Sequence, residues 1–427
     1  MKWSSEGRVE PSTMHQISDY QKKDARTATF RLKNSHVTYA NTLRRIILTG
    51  VETIAFRSDM TSTGTTTDVT VQRNDTPMTN EMLADRIGLL PIDVKEPLSW
   101  KEDAYRFKLS VLGNKDSIRH VKSEDFTVIE WNPNAEEEKQ EERLVSTDLF
   151  FPRNPITNDT CLIATLQPGE GSMQQGIELV AKATKGTGRE HARFCPVSQC
   201  TYEYTLDTDE TRIQEMFMKW LTVSKKVSQI DKASDRYQEL WSEFHTMQRK
   251  RCFKVNEKGE PYEFDFTVES VGVLSVEYIV QRACEVAKTM CDRYAILDKG
   301  DLPDEISVSP ADSRIIGFDF LFRGHDHTLG NLFQTWMVQN LIEGTQEPRI
   351  QYAGYAVPHP LRDQMVLRVG VTSGEESVAR AAIAAAAKGC SHIFDTLRNE
   401  WRAAMQPLRA SRVAPRRPRT AEQKQDA

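Results

Sequence analysis

The residue types with the widest chemical reach lie in the run "GHDHTLG", where His325 and His327 flank Asp326, and His359 follows in "VPHP". Imidazole nitrogens and a carboxylate oxygen are ordinary zinc donors, so this spacing could seat a metal. Asp326 and the histidines fit a polar turn capping a helix at Thr328 equally well. Cys195 and Cys200 bracket only "PVSQ" and have no second pair of ligands nearby, which leaves half of a tetrahedral zinc shell unfilled. Cys284 and Cys291, seven apart on a helical stretch, read as small buried apolar residues. "KGTGREH" sets Gly186 and Gly188 where a phosphate could be cradled. The Lys-Ser/Thr ending of a P-loop is missing, however, and Pro196 with strand-rich sequence follows where a helix N-terminus would be needed. A tight turn is expected there instead.

The elements that must hold these groups come twice. "TATFRLKNSHVTYANTLRRIILTG" reads as an alternating strand with Phe30 and Leu32, a polar turn, and a helix whose Leu43, Ile46 and Ile47 share one face before Gly50 stops it. "IIGFDFLFRGHDHTLGNLFQTWMVQNLIEG" repeats the plan 290 positions later, with Leu329, Leu332, Phe333, Trp336 and Met337 at i, i+3, i+4, i+7 and i+8. Phe30 and Phe320, Lys33 and Arg323, and Asn41 and Asn331 match at that one offset. Thr38 and Thr328 are expected to cap the two helices, with Asn41 and Asn331 reaching back as a short capping box.

Each copy also has a closing strand and helix. "YEFDFTVESVG" and "LSVEYIVQRACEVAKTMCDRY" close the first; "QMVLRVGVTSG" and a helix from about Ser377 to Met405 close the second. In the first copy the two halves stand about 200 residues apart, beyond any ordinary loop, so a domain is inserted between them. "TDVTVQR", "YRFKLSVLG", "FTVIEW", "GIELVAKATKG" and "CTYEYTLD" read as its short strands, and "TNEMLADRIGLLPI" as a helix ending at Gly88. The acidic run Glu136 to Glu142 reads as a solvated loop tip. Asp207 to Arg251 reads as a helical appendage anchored by Met216, Trp220, Leu221, Trp241 and Phe244.

Bulk properties narrow the class. A chain of 427 residues can hold two to four domains. No apolar run approaches the roughly 20 residues that span a bilayer, which argues against a membrane protein. The N-terminus lacks a secretory apolar region, and seven cysteines, an odd number, argue against a disulfide framework and for a reducing compartment. A net charge of -5 gives no global attraction to nucleic acid; the tail "PLRASRVAPRRPRTAEQKQDA" is locally basic and predicted to be disordered.

The second-copy helix carries more apolar area than one small sheet covers, and its economical partner is the helix of the first copy. The repeat then reads as a dimer fused into one polypeptide, with a pseudo-twofold axis between Leu43, Ile46 and Ile47 on one side and Leu329, Leu332, Phe333, Trp336 and Met337 on the other. Two unrelated α/β domains sharing a common cap are the plainer alternative.

In order, "NTLRRIILTGVETIAF", "LADRIGLLPI", "KGTGREHARFCPVSQCTYEY" and "FTVESVG" resemble the third-largest subunit of eukaryotic RNA polymerase II, its archaeal counterpart and the N-terminal domain of the bacterial alpha subunit. "GHDHTLGNLFQ" and "YAGYAVPHPL" resemble the eleventh subunit of polymerase II and its archaeal counterpart. The matches span roughly residues 25 to 405, and fusions of this kind are similar to those of some large DNA viruses. The resemblance implies a noncatalytic assembly platform that docks the second-largest and largest polymerase subunits and small zinc-binding subunits. It implies contact with DNA only through the complex, and no membrane. By the resemblance Arg44, Arg45, Asp85, Arg86, Lys185, Gly186 and His191 face partner chains, Arg44 and Arg45 through planar guanidinium hydrogen bonding; the plain reading of those two is a pair of solvated helix arginines. It also places the His325 run in the helix-capping turn. Many relatives carry a cysteine-rich zinc loop or iron-sulfur insertion, whereas "IDVKEPLSWKEDAYRF" has no cysteine, so no metal or other cofactor is expected. No linear signature of a nucleophile, base and orienting acid is present either.

The resulting expectation is an α+β chain of two alpha-like dimerisation units forming an intramolecular pseudo-dimer. Its parts are an N-terminal extension (1–19), a discontinuous first unit (20–60 and 251–298), a strand-rich insert with appendage (61–250), a second unit (305–406) and a basic tail (407–427). The protein is expected inside the cell: in host cytoplasm or virion if viral, in the nucleus if cellular and eukaryotic. A free-standing scaffold or transcription regulator with the same dimer fold is the alternative from another class, and a metal hydrolase at the His325 cluster a third.

Overall fold

The computed structural model describes residues 15–62, 66–131, 142–227, 229–311 and 315–405; the basic tail, most of the N-terminal extension and most of the acidic run lie outside them. The chain opens with β1 (Gln16–Lys22), β2 (Thr27–Lys33), α1 (Val37–Thr49) and β3 (Glu52–Ala55). The insert follows as β4 (Val69–Asn74), α2 (Asn80–Gly88), β5 (Tyr105–Leu112), β6 (Arg119–Lys122), β7 (Phe126–Glu130), β8 (Arg143–Val145), β9 (Leu162–Leu166), β10 (Gly176–Ala181) and β11 (Thr184–Thr187). Then come β12 (Val197–Tyr204), a hairpin of α3 (Glu210–Val223) and α4 (Asp235–Met247), β13 (Phe264–Ser270) and α5 (Val276–Asp292). The second unit is β14 (Ile306–Pro310), β15 (Gly317–Arg323), α6 (His327–Met337), β16 (Tyr352–Ala356), β17 (Gln364–Gly370) and α7 (Glu376–Met405).

The two units have the same antiparallel sheet, in the order β1-β2-β13-β12 and β14-β15-β17-β16. Alternation builds each: Ala28, Phe30 and Leu32 of β2 and Phe264, Phe266 and Val268 of β13 all point to the core, and Phe30 stacks on its register partner Phe266 at 4.8 Å. Phe320 and Leu367 hold the matching positions in the second sheet. The turn into α1 passes through Asn34 at φ 52°, and the turn into α6 through Gly324 at φ 77°, again 290 apart. Asparagine and glycine are the residues that tolerate this left-handed backbone.

Three expectations change. The strand "CTYEYTLD" does not belong to the insert: β12 pairs with β13 and stands where β16 stands in the other unit. A period of two shows that a strand has an inside, not which sheet supplies it. Likewise β1, starting at Gln16, joins the first sheet and shortens the expected N-terminal extension. The helices start earlier than the threonines. His36 Nδ1 accepts from Thr38 N, and Asp326 Oδ1 accepts from Thr328 N at 2.8 Å, so these are the caps. Asn41 and Asn331 form no capping box; Asn41 Oδ1 accepts from Arg44, and Asn331 Nδ2 donates to Thr38 Oγ1 at 3.3 Å.

The insert packs a five-stranded sheet, β4-β10-β5-β7-β8, around Phe56, Phe107, Phe126, Phe150 and Phe151, with Leu83, Ala84 and Ile87 of α2 laid on it. β11 pairs with β3 and ties the insert to the first unit. The appendage has a small core of its own, where Phe217 meets Trp241 edge-on at 4.8 Å and Phe244 at 5.2 Å. Met216 is not one of its anchors; it is exposed, and Ile213, Phe217 and Leu221 form the buried stripe one position away in phase.

Candidate partner-docking surface

Helices α1, α5, α6 and α7 meet between the two sheets in one continuous core. Thr38 Oγ1 lies 3.0 Å from Thr335 Oγ1, and Arg45 Nε donates to Thr328 Oγ1 at 2.7 Å. At an offset of 290, Thr38 corresponds to Thr328 and Arg45 to Thr335, so the two contacts exchange roles across the seam. Such reciprocity is the mark of an isologous twofold interface, here built within one chain. Arg45 Nη2 also reaches Asp326 Oδ2 at 3.1 Å, and Tyr39 donates to Gln339 Oε1 at 3.2 Å.

The closing helices cross over as well. Trp401 of α7 is fully buried against the first sheet, edge-on to Phe30 at 5.0 Å and Tyr20 at 5.3 Å, and donates to the Glu277 carbonyl at 3.0 Å. Ser391 donates to Asp292 Oδ1 at 2.5 Å. Conversely Tyr294, just past α5, packs on Phe322 of the second sheet at 5.1 Å. Leu43, Ile46, Ile47, Leu329, Leu332, Phe333, Trp336 and Met337 are all buried in this core. Trp336 lies against Gly389 of its own unit's α7, where an added Cβ would overlap the ring.

A second assembly of polar groups forms where β3 meets β11. Arg57 grips Glu190 with two bonds, at 2.5 and 2.9 Å, and donates to the Lys185 carbonyl at 2.8 Å. The Arg57 hydrogen bond holds the Glu190 carboxyl below its usual range. Arg193 donates to Ser58 Oγ at 2.7 Å and to His191 Nδ1 at 3.0 Å, and Ser58 donates onward to Asp85 Oδ1 at 2.6 Å. Asp85, Lys185, Gly186 and His191 are thereby gathered on one patch, with Lys185 and His191 exposed. Gly186 is buried because the Phe194 ring lies 2.7 Å from where a Cβ would be, so this glycine serves close packing instead of a turn. Arg86 bonds the Ile163 carbonyl at 2.8 Å, and Arg45 is engaged at the seam, so both guanidinium groups have partners within the chain. Arg44 stands apart, braced by Asn41 beside Cys200, Tyr202 and Tyr204 of β12. Sequence reading missed Arg57, Ser58, Glu190 and Arg193, although the last two stand inside the "GREHARF" motif.

The histidines of "GHDH" are dispersed in role. His325 Nε2 meets the Tyr294 hydroxyl at 2.6 Å, His327 Nδ1 lies 3.3 Å from the Tyr355 hydroxyl, and His359 Nδ1 accepts from Leu361 N at 3.1 Å. Burial, then the charges of Arg189 and Arg293, push His325 down to about 4. Among the described residues no group of three or more His, Cys, Asp or Glu could hold a metal ion, and no helix is long and apolar enough to cross a membrane.

The sequence model of the RNA polymerase Rpb3/Rpb11 dimerisation domain matches residues 29–291, more than half of the chain. The chain belongs to the RNA polymerase Rpb3/Rpb11 dimerisation domain family. A second model of the same description matches residues 318–400, so two Rpb3/Rpb11 dimerisation modules share one polypeptide. Among curated relatives, subunit 3B of DNA-directed RNA polymerases IV and V of Arabidopsis thaliana is 26% identical over 310 residues, covering 64% of this chain and 88% of that protein. DNA-directed RNA polymerase subunit Rpo3 of Methanopyrus kandleri is 30% identical over 207 residues, 47% of this chain and 63% of its own. Subunit RPAC1 of human RNA polymerases I and III is 25% identical over 299 residues, 64% and 81%.

The family's name describes the seam. The helix that opens one module faces the helix that opens the other, and the exchanged contacts of Thr38, Arg45, Thr328 and Thr335 are the chemistry of that pairing.

Proposed function

We propose that this chain is the assembly subunit of a multisubunit DNA-directed RNA polymerase, with both alpha-like modules in cis, and that it carries no catalytic residue. The observation that carries the reading is the reciprocal seam between two dimerisation modules of one family. A fused dimer needs no bimolecular step to form its platform, so it suits a subunit on which larger chains assemble. Its partners are the second-largest and largest polymerase subunits and small zinc-binding subunits; DNA is met only through the complex, inside the cell. The docking contacts are Arg44 beside β12 and the patch of Asp85, Lys185 and His191. Arg45, Arg86 and Gly186 shape these surfaces from within. The first module comprises about 16–55 and 197–298, the insert about 61–187, with α3 and α4 as a branch of the first module. Affinity purification of the tagged chain from its native source tests this: two very large subunits in constant stoichiometry are expected, and their absence overturns it.

A further inference from the structure

Strands β16 and β17 are joined by "VPHPLRD", residues 357–363, at the surface of the second module. Val357 packs on the common core, and every residue from Pro358 to Asp363 is exposed. Leu361 is 88% exposed. A lone leucine at a surface is ordinary, but this one is held out on a stiff turn. Pro358 and Pro360 fix their own φ and carry no N–H. Leu361 N donates to His359 Nδ1 at 3.1 Å, and Arg362 N donates to the His359 carbonyl at 3.1 Å. The far end is tied down where Gly324 N donates to the Asp363 carbonyl at 2.8 Å. An apolar side chain presented in this way has little backbone freedom left to lose on binding.

The turn is also joined to the rest of the first module. Arg189, in the "KGTGREH" loop, donates from its backbone N to the Thr49 carbonyl at 3.0 Å, at the end of α1, and its guanidinium pairs with the Asp363 carboxylate. The next two residues, Glu190 and His191, belong to the patch that holds Lys185. One ion pair therefore sets the Leu361 turn beside that patch, across the boundary between the modules. It also neutralises the one acid of the turn, and Arg362 has no ion-pair partner among the described residues.

We infer that the Leu361 turn and the patch of Lys185 and His191 form one docking surface for a single partner polypeptide, which meets Leu361 with an apolar socket and Arg362 with a carboxylate at the socket's rim. This rests on the assembly-platform reading and names how a partner binds that platform, by touching both modules at once. The unpaired guanidinium calls for the carboxylate. The rigid, protruding leucine calls for the socket, since water leaves its surface only when a complementary pocket closes on it. A partner that straddles the boundary makes all of its contacts only when the modules are paired, so it selects the completed pseudo-dimer.

Photo-crosslinking in the native complex tests the surface, with p-benzoyl-L-phenylalanine in place of Leu361 in one tagged chain and in place of Lys185 in another, and mass spectrometry of the products. Both positions are expected to capture the same large polypeptide. Leu361→Asp and Arg362→Glu, at exposed positions, should each lower recovery of that polypeptide by about fivefold or more, with the melting temperature of the isolated chain unchanged. Full recovery with either variant, or a Leu361 crosslink that is absent or joins a different chain from that of Lys185, overturns the shared surface and leaves the assembly reading standing. Absence of any large subunit from the purified chain overturns both.

Discussion

Arg45 of the first unit donates to the Thr328 hydroxyl of the second at 2.7 Å, in the first turn of the helix that its own helix mirrors. The same guanidinium pairs with Asp326, the cap of that helix. A cation from one module therefore completes the helix start of the other, and folding of each is tied to its pairing.

The adjacent arginines should separate by experiment. Arg45→Ala removes a charged hydrogen bond and a half-exposed ion pair, and should lower stability by about 1–2 kcal/mol in urea unfolding. Arg44→Ala should change stability by less than about 0.5 kcal/mol yet reduce co-purification of the second-largest polymerase subunit. Equal effects of both on stability would remove the distinction.

Trp336 should be sensitive from both sides. Trp336→Asp places a carboxylate in a buried seam and should cost about 3–5 kcal/mol, read as loss of the cooperative unfolding transition or of soluble protein. Gly389→Ala, which adds a methyl against the same ring, should cost about 1–3 kcal/mol. An unchanged melting curve for either would contradict the packing.

Acid should loosen the Tyr294 end. His325 is held neutral in the fold, down at about 4, while its unfolded value is 6.5. Between those values the unfolded chain binds more protons than the native one, so stability falls as pH drops from 6.5 towards 4. On the order of 2–3 kcal/mol should be lost through this group. His325→Gln, which keeps a hydrogen-bonding partner for Tyr294, should flatten that part of a melting-temperature profile; a slope equal to that of the unaltered chain would assign the effect elsewhere.

Gly186 should refuse a side chain. Gly186→Val would drive a branched group into the Phe194 ring and loosen β11 from β3, with a cost of about 1–3 kcal/mol and a weakened Arg57 to Lys185 bond. Full stability of this variant would show that the ring can move aside.

Sequence alone determined the repeat. Phe30 with Phe320, Lys33 with Arg323 and the apolar stripes of α1 and α6 carry it at one offset, because strand and helix periods are properties of the local chain. It also marked "KGTGREHARF" as a unit. Tertiary structure decided which sheet receives β12, since alternation is the same for any sheet. It decided that His36 and Asp326 cap the helices while Thr38 and Thr328 serve the seam, since a hydroxyl near a helix start can turn either way. And it decided that Arg44 and Arg45, identical neighbours in the sequence, part company: on a helix one residue is a turn of about 100°, enough to send one guanidinium toward β12 and the other across to Thr328.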